Sequence, residues 1–404
     1  MKTARSKYTT LQQICNLIPA HLVPKLSREF GVEDKIRSFS AWSHVVAMLF
    51  SQLAYSLSLN DIADSCHNHS GVLNSIRMAT PPSRNGLSYA NMHRNSDMMK
   101  ELFWKMLSHM QSSFPRFGLD HRYSMLPRRF KKTILAVDST VINLVANSMD
   151  WAQYRRRKAA AKMHVGLNLE TFMPQFVIVK EAAPHDSYVA KELCAPLKDG
   201  EIVVFDKAYV DFKHLQMLND RKVFWVTRAK TNMQYEVMGQ HPVKGSIIRD
   251  ATIRFTNINS KDRYPGKVRL IKAIVEVDGK EREMEFITNN FKWAASSVCD
   301  LYKSRWGIEV FFKQIKQTLK LSGFLGYSEN AVQWQIWSAL LCYILLRFIA
   351  FLGKWKGRFS RLFTLLRGIL FASLDIYSVM NECANPRGSP RKLAKLIQTS
   401  IPGF

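Results

Sequence analysis

The spacing of apolar and polar positions changes along the chain and predicts several regions of different structure. Residues 1 to about 112 carry apolar side chains at helical spacing, most clearly over residues 41–59. From about Lys131, short apolar runs of strand length take over, and stretches of helical pattern separate them. Strands that alternate with helices predict an α/β sheet, so we expect a helical N-terminal part followed by an α/β part.

Two of the predicted strands end in an aspartate. The run 133–137 leads to Asp138, and the run 202–205 leads to Asp206. A carboxylate is costly to bury beside an apolar strand unless it is paired or bound to a metal. Each aspartate alone could also be a turn or capping residue.

Residues 233–292 have a third character and predict a β-rich insertion in the α/β part. The runs 247–255, 268–277 and 283–288 have strand patterns, and Asp278 with Gly279 predicts a hairpin turn between the last two. Helical patterns resume near Ala294 and continue to about residue 374.

The N-terminal helices include a possible helix-turn-helix pattern. Residues 81–86 interrupt the helical spacing, and Ser88 predicts the N-cap of a helix over residues 89–99. Helix, break and helix fit a DNA-binding module. They fit an ordinary helical domain equally well, so both interpretations stay open.

The charge balance adds a partner to this picture. Fifty-eight Lys and Arg against 32 Asp and Glu give a net charge of +26. Such a surplus favours a polyanion, either nucleic acid or an anionic membrane surface. Residues 331–352 are apolar enough to span a membrane, but two Gln and an Arg inside the run favour a buried core helix. Six scattered cysteines and the lack of a signal-peptide pattern predict a cytoplasmic protein.

Residues 302–316 carry the sharpest chemical pattern. On a continuous helix, Tyr302, Arg305, Glu309 and Lys316 fall in one sector about 60° wide, beside an apolar stripe. A carboxylate among cations can hold a metal next to bound DNA phosphates, although a solvated charged face has the same pattern. With Asp138 and Asp206, three carboxylates can hold two hard divalent cations such as Mg²⁺.

These residues also resemble a known family. Tyr302, Arg305, Glu309 and Lys316 match the Y-x(2)-R-x(3)-E-x(6)-K signature of bacterial insertion sequence family 4 transposases at every position. The resemblance covers about residues 130–350 and implies a DDE triad at Asp138, Asp206 and Glu309. Ala208 stands where the family often has Gly.

The resemblance implies a mixed α/β fold with an RNase H-like catalytic core. We predict five regions: a helical DNA-binding domain (1–125), the first part of the core (126–232), the β-rich insertion (233–292), a core helix with the third acid (293–355) and a C-terminal helical region with a basic tail (356–404).

The implied function is DNA transposition. Asp138, Asp206 and Glu309 are expected to be catalytic and to bind two Mg²⁺ ions, for which Mn²⁺ can substitute. The expected DNA contacts are Tyr302, Arg305, Lys316, Trp306 as a stacking residue, and the basic run Arg155, Arg156 and Arg157. The expected partners are the terminal inverted repeats, the target DNA and a second copy of the chain, in the bacterial cytoplasm at the nucleoid.

Two other functions remain compatible with these residues. A nuclease with the same core would cut without strand transfer, and a DNA-binding protein with an inactive core would bind ends only. Relatives in the resembling family that form hairpin DNA ends use a Trp of the β-rich insertion to hold a flipped base. Residues 232–290 of this chain contain no Trp, so the sequence does not support a hairpin route.

Overall fold

The protein is a mixed α/β structure in which helices cover a large sheet. The structure is a computed structural model, and it describes residues 3–32, 39–119, 130, 132–144, 153–155, 158–181, 186–277, 279–319, 321 and 324–383. The predicted mixed α/β class is confirmed, whereas the five domain boundaries stay a prediction.

The N-terminal region is helical, as expected from its apolar spacing. Its helices are α1 (Thr10–Asn16), α2 (Leu22–Glu29), α3 (Ala41–Ala54), α4 (Leu59–Asn68), α5 (Ser70–Ser75), α6 (Arg84–His93) and α7 (Asp97–Ser113).

The predicted helix over residues 89–99 with Ser88 as its cap is wrong. Ser83 is the cap instead, because its Oγ accepts a hydrogen bond of 3.0 Å from the Gly86 amide. The helix ends at His93, since Asn330 and Trp334 of a later helix donate to the Arg94 carbonyl oxygen. A tertiary contact therefore sets this helix end, and sequence spacing could not show it.

The central sheet begins with strands β1 (Ile134–Leu144), β2 (Gln153–Arg155), β3 (Lys158–Asn168), β4 (Met173–Glu181), β5 (Ile202–Phe205) and β6 (Phe224–Arg228). Helix α8 (Asp186–Cys194) precedes β5, and α9 (Phe212–Asp220) precedes β6. The core strands run in the order β4-β3-β1-β5-β6, with β3 antiparallel to β1 and with β5 and β6 parallel to it. This order agrees with the expected RNase H-like core.

The β-rich insertion extends the same sheet. It comprises β7 (Tyr235–Gln240), β8 (Ile247–Phe255), the short α10 (Ile258–Lys261), β9 (Val268–Val277) and β10 (Lys280–Thr288). Strand β10 pairs antiparallel with β6, so the insertion continues the core hydrogen-bond ladder. Of the predicted hairpin turn, Gly279 has a φ of 73°, and Asp278 lies outside the described residues.

Alternate side chains of the core strands face opposite sides of the sheet, as strand geometry requires. Ile134, Ala136, Ile202 and Val204 face the core that the N-terminal helices cover. Leu135, Val137, Val203, Phe205 and Trp225 face a second core beneath α8 and α9.

The C-terminal helices complete the first core. They are α11 (Ala295–Ser304), α12 (Trp306–Lys313), α13 (Glu329–Leu352), α14 (Phe359–Gly368) and α15 (Ile376–Cys383). Helix α13 alone is long and apolar enough among the described helices to cross a membrane, unless the bent pair α3 and α4 is counted as one span. Inside the protein, 89% of the apolar window of α13 is buried, as expected for a core helix.

Candidate active site

Two strand-borne aspartates lie side by side at the middle of the sheet. Val137 of β1 pairs in parallel register with Phe205 of β5, so Asp138 and Asp206 are the next residues on adjacent strands. Both positions continue the alternation that faces the first core, the side on which α11 and α12 pack. The prediction that the strand ends at Asp138 is wrong: β1 continues to Leu144, because β3 pairs with it beyond the end of β5.

The third acid, Glu309, lies on α12 and is linked to Asp138 through Arg305. Nη1 of Arg305 donates to Oδ2 of Asp138 at 2.7 Å, and its Nη2 donates to Oε1 of Glu309 at 2.7 Å. One guanidinium therefore bridges two of the three acids. Its Nε is buried and has no hydrogen-bond partner among the described residues, so the arginine is incompletely satisfied there.

Tyr302 binds the remaining acid. Its hydroxyl donates to Oδ1 of Asp206 at 3.2 Å, and its ring lies 5.0 Å from that of Phe286. Burial raises the pKa of Tyr302 to about 12, so the phenol keeps its proton at neutral pH and acts as a hydrogen-bond donor.

Lys316 extends the cationic side of the site. Its Nζ donates to Oγ1 of Thr140 at 3.0 Å, and Thr140 lies two residues after Asp138 on the same face of β1. Burial lowers the pKa of the ammonium group from its usual value. The ammonium group is therefore partly desolvated, and it is held next to the part of β1 that follows Asp138.

The electrostatics of the acids show how crowded they are. Burial raises the pKa of Asp138 to about 6; Arg305 and the Ser139 amide oppose this rise, while Asp206 and Glu309 add to it. The Ser139 amide donates to Oδ1 of Asp138 at 2.8 Å. Even with the arginine present, the ionised form of Asp138 is therefore disfavoured, and further positive charge would stabilise it.

The predicted single helix over residues 302–316 is wrong in its geometry. Helix α11 ends at Ser304, α12 begins at Trp306, and Gln314–Thr318 forms a π-helical turn. A Cβ at Gly307 would lie 3.1 Å from Leu169 Cδ2, so glycine allows α12 to approach the β3–β4 turn without moving the Leu169 side chain. The signature side chains still reach one site, since Tyr302, Arg305 and Glu309 contact the acids or carry one.

Among the other predicted DNA contacts, the structure describes the side chain of Trp306. Trp306 is 51% exposed, which leaves its ring open to a partner. Arg156 and Arg157 lie outside the described residues, and Arg155 is described only as part of the backbone of β2.

One pair beneath the site was not assigned a role from the sequence. His164 on β3 and Tyr209, three residues after Asp206, are both buried, and Nδ1 of His164 lies 3.3 Å from the Tyr209 hydroxyl. Since His164 is opposite Ser139 in the β1–β3 ladder, the pair ties together the backbones beside both aspartates. The sequence signal was the Tyr in Asp206-Lys207-Ala208-Tyr209.

The donor set fits a hard divalent cation. Asp138, Asp206 and Glu309 offer carboxylate oxygens only, the ligands that Mg²⁺ prefers. Within the described part of the chain, however, no three His, Cys, Asp or Glu side chains already converge on a common point, and Arg305 lies between two of the acids. A cation held by these carboxylates would supply positive charge where Arg305 supplies it in this structure.

Comparisons with known proteins give a family match and several relatives. The profile described as "Transposase DDE domain" matches residues 129–345, which contain all three acids, and a domain of unknown function matches residues 6–77. A Sinorhizobium fredii protein named "Putative transposase y4zB" is 28% identical over 78% of this chain and 86% of its own length.

Other relatives have similar names. A Geobacillus stearothermophilus protein named "Probable transposase for insertion sequence element IS5377" is 29% identical over 55% of this chain and 58% of its own length. The Escherichia coli "Transposase InsG for insertion sequence element IS4" is 24% identical over 40% of this chain and 38% of its own. A solved piggyBac transposase aligns with 96% of this chain and 86% of its own at 10% identity, but its TM-score of 0.44 is too low to support an argument.

Proposed function

Because this chain belongs to the family of transposases with a DDE domain, we propose that Asp138, Asp206 and Glu309 are its catalytic carboxylates. The chain is a DNA transposase, an enzyme that cleaves DNA and transfers strands. Its relatives include transposases of insertion sequence family 4. The residue roles, the metal and the order of steps that follow are our proposal.

The bridging of Asp138 and Glu309 by Arg305 is the observation that carries the assignment. Arg305 and Asp138 are 167 positions apart in the sequence, and the same guanidinium binds both acids at 2.7 Å. Tyr302 adds Asp206 to the group through a hydrogen bond of 3.2 Å. Burial, Asp206 and Glu309 raise the pKa of Asp138 even though Arg305 contacts it, so a bound cation would stabilise the ionised cluster.

The family uses divalent metal ions, and we propose two Mg²⁺ ions here, with Mn²⁺ able to substitute. Asp138, Asp206 and Glu309 would hold these ions, because Asp138 lies beside the strand that Asp206 follows and is linked to Glu309 through Arg305. Such ions stabilise the attacking and leaving oxygens of an in-line displacement.

The cationic residues would then position DNA. Arg305, once released from the acids, offers coplanar hydrogen-bond donors to a phosphate. Lys316, which binds Thr140 on β1, offers a second positive charge. The protonated Tyr302 hydroxyl can donate to a phosphate oxygen beside the scissile bond. We propose Trp306 as a stacking surface and Arg155, Arg156 and Arg157 as contacts to the DNA backbone.

The same site would serve two displacements in sequence. A water first attacks the phosphodiester at the transposon end, and the leaving group is the 3′ oxygen of the strand that is cut. The freed 3′ hydroxyl then attacks a phosphodiester of the target, so one bond forms as another breaks. Arg305 and Lys316 would hold the phosphate in line in both steps.

DNA is the partner of the family, and the net charge of +26 suits it. We propose that the bound DNA consists of the terminal inverted repeats and the target. Both transposon ends must be joined at one place, so a homodimer on DNA would hold one end at each site. The corresponding location is the bacterial nucleoid.

The proposal is tested by incubating the full chain with DNA that carries the element's own ends, with Mg²⁺ or with EDTA. We expect cleavage and joining with Mg²⁺ only, and a loss of at least about a hundredfold for Glu309→Ala. Glu101→Ala is the matched control, because Glu101 is a surface acid on α7 paired with Lys105 and should leave the rate unchanged.

The outcomes also separate the two alternative functions. Cleavage without joined products would identify a nuclease. Selective binding of the ends without cleavage in Mg²⁺ or Mn²⁺ would identify a DNA-binding protein with an inactive core.

A further inference from the structure

Helix α6 has one buried face and one largely exposed face, and Arg84, Ser88 and Met92 of the exposed face also line a cavity. At 100° per residue, Arg84, Asn85, Ser88, Tyr89 and Met92 occupy a sector about 140° wide, and Leu87, Ala90 and Asn91 lie on the opposite side. Tyr89 is 65% exposed and Met92 48% exposed. Together with the polar side chains on the same side of α6, they form an exposed surface of mixed character.

The exposed face has the chemistry of DNA recognition. It offers a guanidinium, an amide, a hydroxyl, a phenol and a thioether, side chains that can bond to base edges or contact a thymine methyl group. Helix α6 contains no Asp or Glu. A helix with its side chains is about 10–12 Å across, so α6 fits a major groove about 12 Å wide.

An adjoining cavity of about 470 Å³ extends this surface. Its described lining includes Arg84 and Met92 of α6, Leu57 before α4, and Tyr327 before α13, and none of its lining residues is acidic. Leu57 is 74% exposed and Tyr327 54% exposed, so the rim is apolar and open. The only charge among the described lining residues is that of Arg84, which is complementary to a phosphate backbone passing over the rim.

The buried face fixes α6 to the helix beneath the active site. Nδ2 of Asn330 donates to the carbonyl oxygens of Asn91 and Arg94 at 2.8 and 2.7 Å, and the Trp334 indole donates to the latter at 2.8 Å. Both residues belong to α13, and Tyr343 of α13 packs against Phe311 of α12 with ring centroids 5.1 Å apart. DNA bound by α6 would therefore have a defined position relative to Glu309.

We propose that the exposed face of α6 reads the major groove of the transposon-end duplex, with Arg84 and Asn85 contacting base edges and with Tyr89 and Met92 packing against the groove. This inference rests on the proposed function, because it names the element that recognises the end on which the acids act. A second copy of the chain is the other candidate occupant. The absence of acid from α6 and the net charge of +26 favour the polyanion.

The test measures binding of the full chain to two duplexes, one with the element's terminal sequence and one with that sequence scrambled, over a series of salt concentrations. Asn85→Ala should weaken binding of the end duplex by at least about fivefold and leave the scrambled duplex unaffected, so discrimination falls. Arg84→Ala should weaken the end duplex similarly. Lys105→Ala is the matched control, because Lys105 is an exposed cation on the neighbouring helix α7.

The possible results separate this inference from the proposed function. If the wild-type chain cleaves ends but all α6 variants bind them like Lys105→Ala, α6 does not read DNA. If Tyr89→Ala abolishes dimerisation in light scattering while end binding is unchanged, the face is an interface between copies and the inference is overturned. Failure of the wild-type chain to cleave with any metal would overturn the proposed function instead. Circular dichroism shows whether each variant keeps its fold.

Discussion

Arg269 and Arg305 are both buried arginines that bind carboxylates, but their surroundings differ. Arg269 forms a closed pair with Asp250: its Nε and Nη2 donate to the two oxygens of that one carboxylate at 2.8 and 2.6 Å. Its remaining Nη1 donates to backbone carbonyl oxygens of Trp293 and Asn290. Charge and hydrogen bonds are balanced there, and both side chains are less than 10% exposed.

Arg305 instead divides its donors between Asp138 and Glu309, with Asp206 as a third acid nearby. Its Nε is unsatisfied among the described residues, and Asp138 has a raised pKa despite the contact. The closed pair of Arg269 and Asp250 is complete without a ligand. The group of Arg305, Asp138, Asp206 and Glu309, called the open cluster below, has more acids than its arginine neutralises. A structural ion pair is therefore distinguished from a candidate cation site by whether its charges and hydrogen bonds are balanced within the protein.

Breaking the closed pair should have the largest effect on stability. Asp250→Leu leaves the Arg269 guanidinium buried without its counterion, which costs about 3 to 5 kcal/mol. Urea denaturation should show this decrease in the free energy of unfolding. The double variant Asp250→Leu with Arg269→Met should recover most of it, because no charge is then left uncompensated.

The surface pair Lys272–Glu283 provides the control for this prediction. Glu283 has a side chain that is 60% exposed, so Glu283→Ala should change the free energy of unfolding by less than about 1 kcal/mol. Equally small losses of unfolding free energy for Asp250→Leu and Glu283→Ala would show that the Asp250–Arg269 pair does not stabilise the fold.

The two arginines also show what the sequence can predict. The open cluster was predictable, because Tyr302, Arg305 and Glu309 recur at helical spacing and the two aspartates follow apolar strands. Asp250 and Arg269 give no such signal in the sequence, because they lie on neighbouring strands of the insertion. The strand register pairs Asp250 with Ile271, and Arg269 lies two residues before Ile271 on the same face of β9. Long-range pairing between strands has no local pattern.

The errors in the site have the same origin. The interruption at Arg305 and the π-helical turn after Lys313 depend on the packing of α12 against the β3–β4 turn, where Gly307 meets Leu169. The continuation of β1 past Asp138 depends on pairing with β3. Residue types were therefore predicted better than the backbone that carries them, because tertiary contacts decide where a helix or strand ends.

Removing an acid from the open cluster should stabilise the metal-free protein, opposite to the effect at Asp250. The folded pKa of Asp138, about 6, is above its ordinary value of 3.8, so its ionised form destabilises the fold above pH 6. Asp138→Asn should raise the free energy of unfolding in EDTA by up to about 3 kcal/mol at pH 7.5. That gain should disappear as the pH falls from 6 to 4, because the wild-type carboxyl then becomes neutral.

Denaturation at several pH values, with Asp262→Asn as an exposed-acid control, checks this sign. A loss of stability for Asp138→Asn at pH 7.5 would mean that the Arg305 contact outweighs the repulsion, and the cluster would then resemble the closed pair. The same variant should lose DNA cleavage at all pH values, since an amide is a poor ligand for Mg²⁺.

Removing Arg305 should have the smallest but most specific effect, a change in metal affinity. The guanidinium now neutralises Asp138 and Glu309, so a metal ion must compete with it for the same oxygens. Arg305→Ala should therefore bind Mn²⁺ several-fold to about tenfold more tightly in titration calorimetry without DNA. Cleavage should nevertheless fall, because the phosphate loses its bidentate donor. Lys303→Ala, which removes an exposed cation from the same segment, should change neither property.

Unchanged Mn²⁺ affinity in Arg305→Ala would show that the arginine and the metal occupy different places. An arginine that only stabilised the fold would lower the melting temperature without tightening metal binding, so the two readouts together distinguish a displaced counterion from a structural residue.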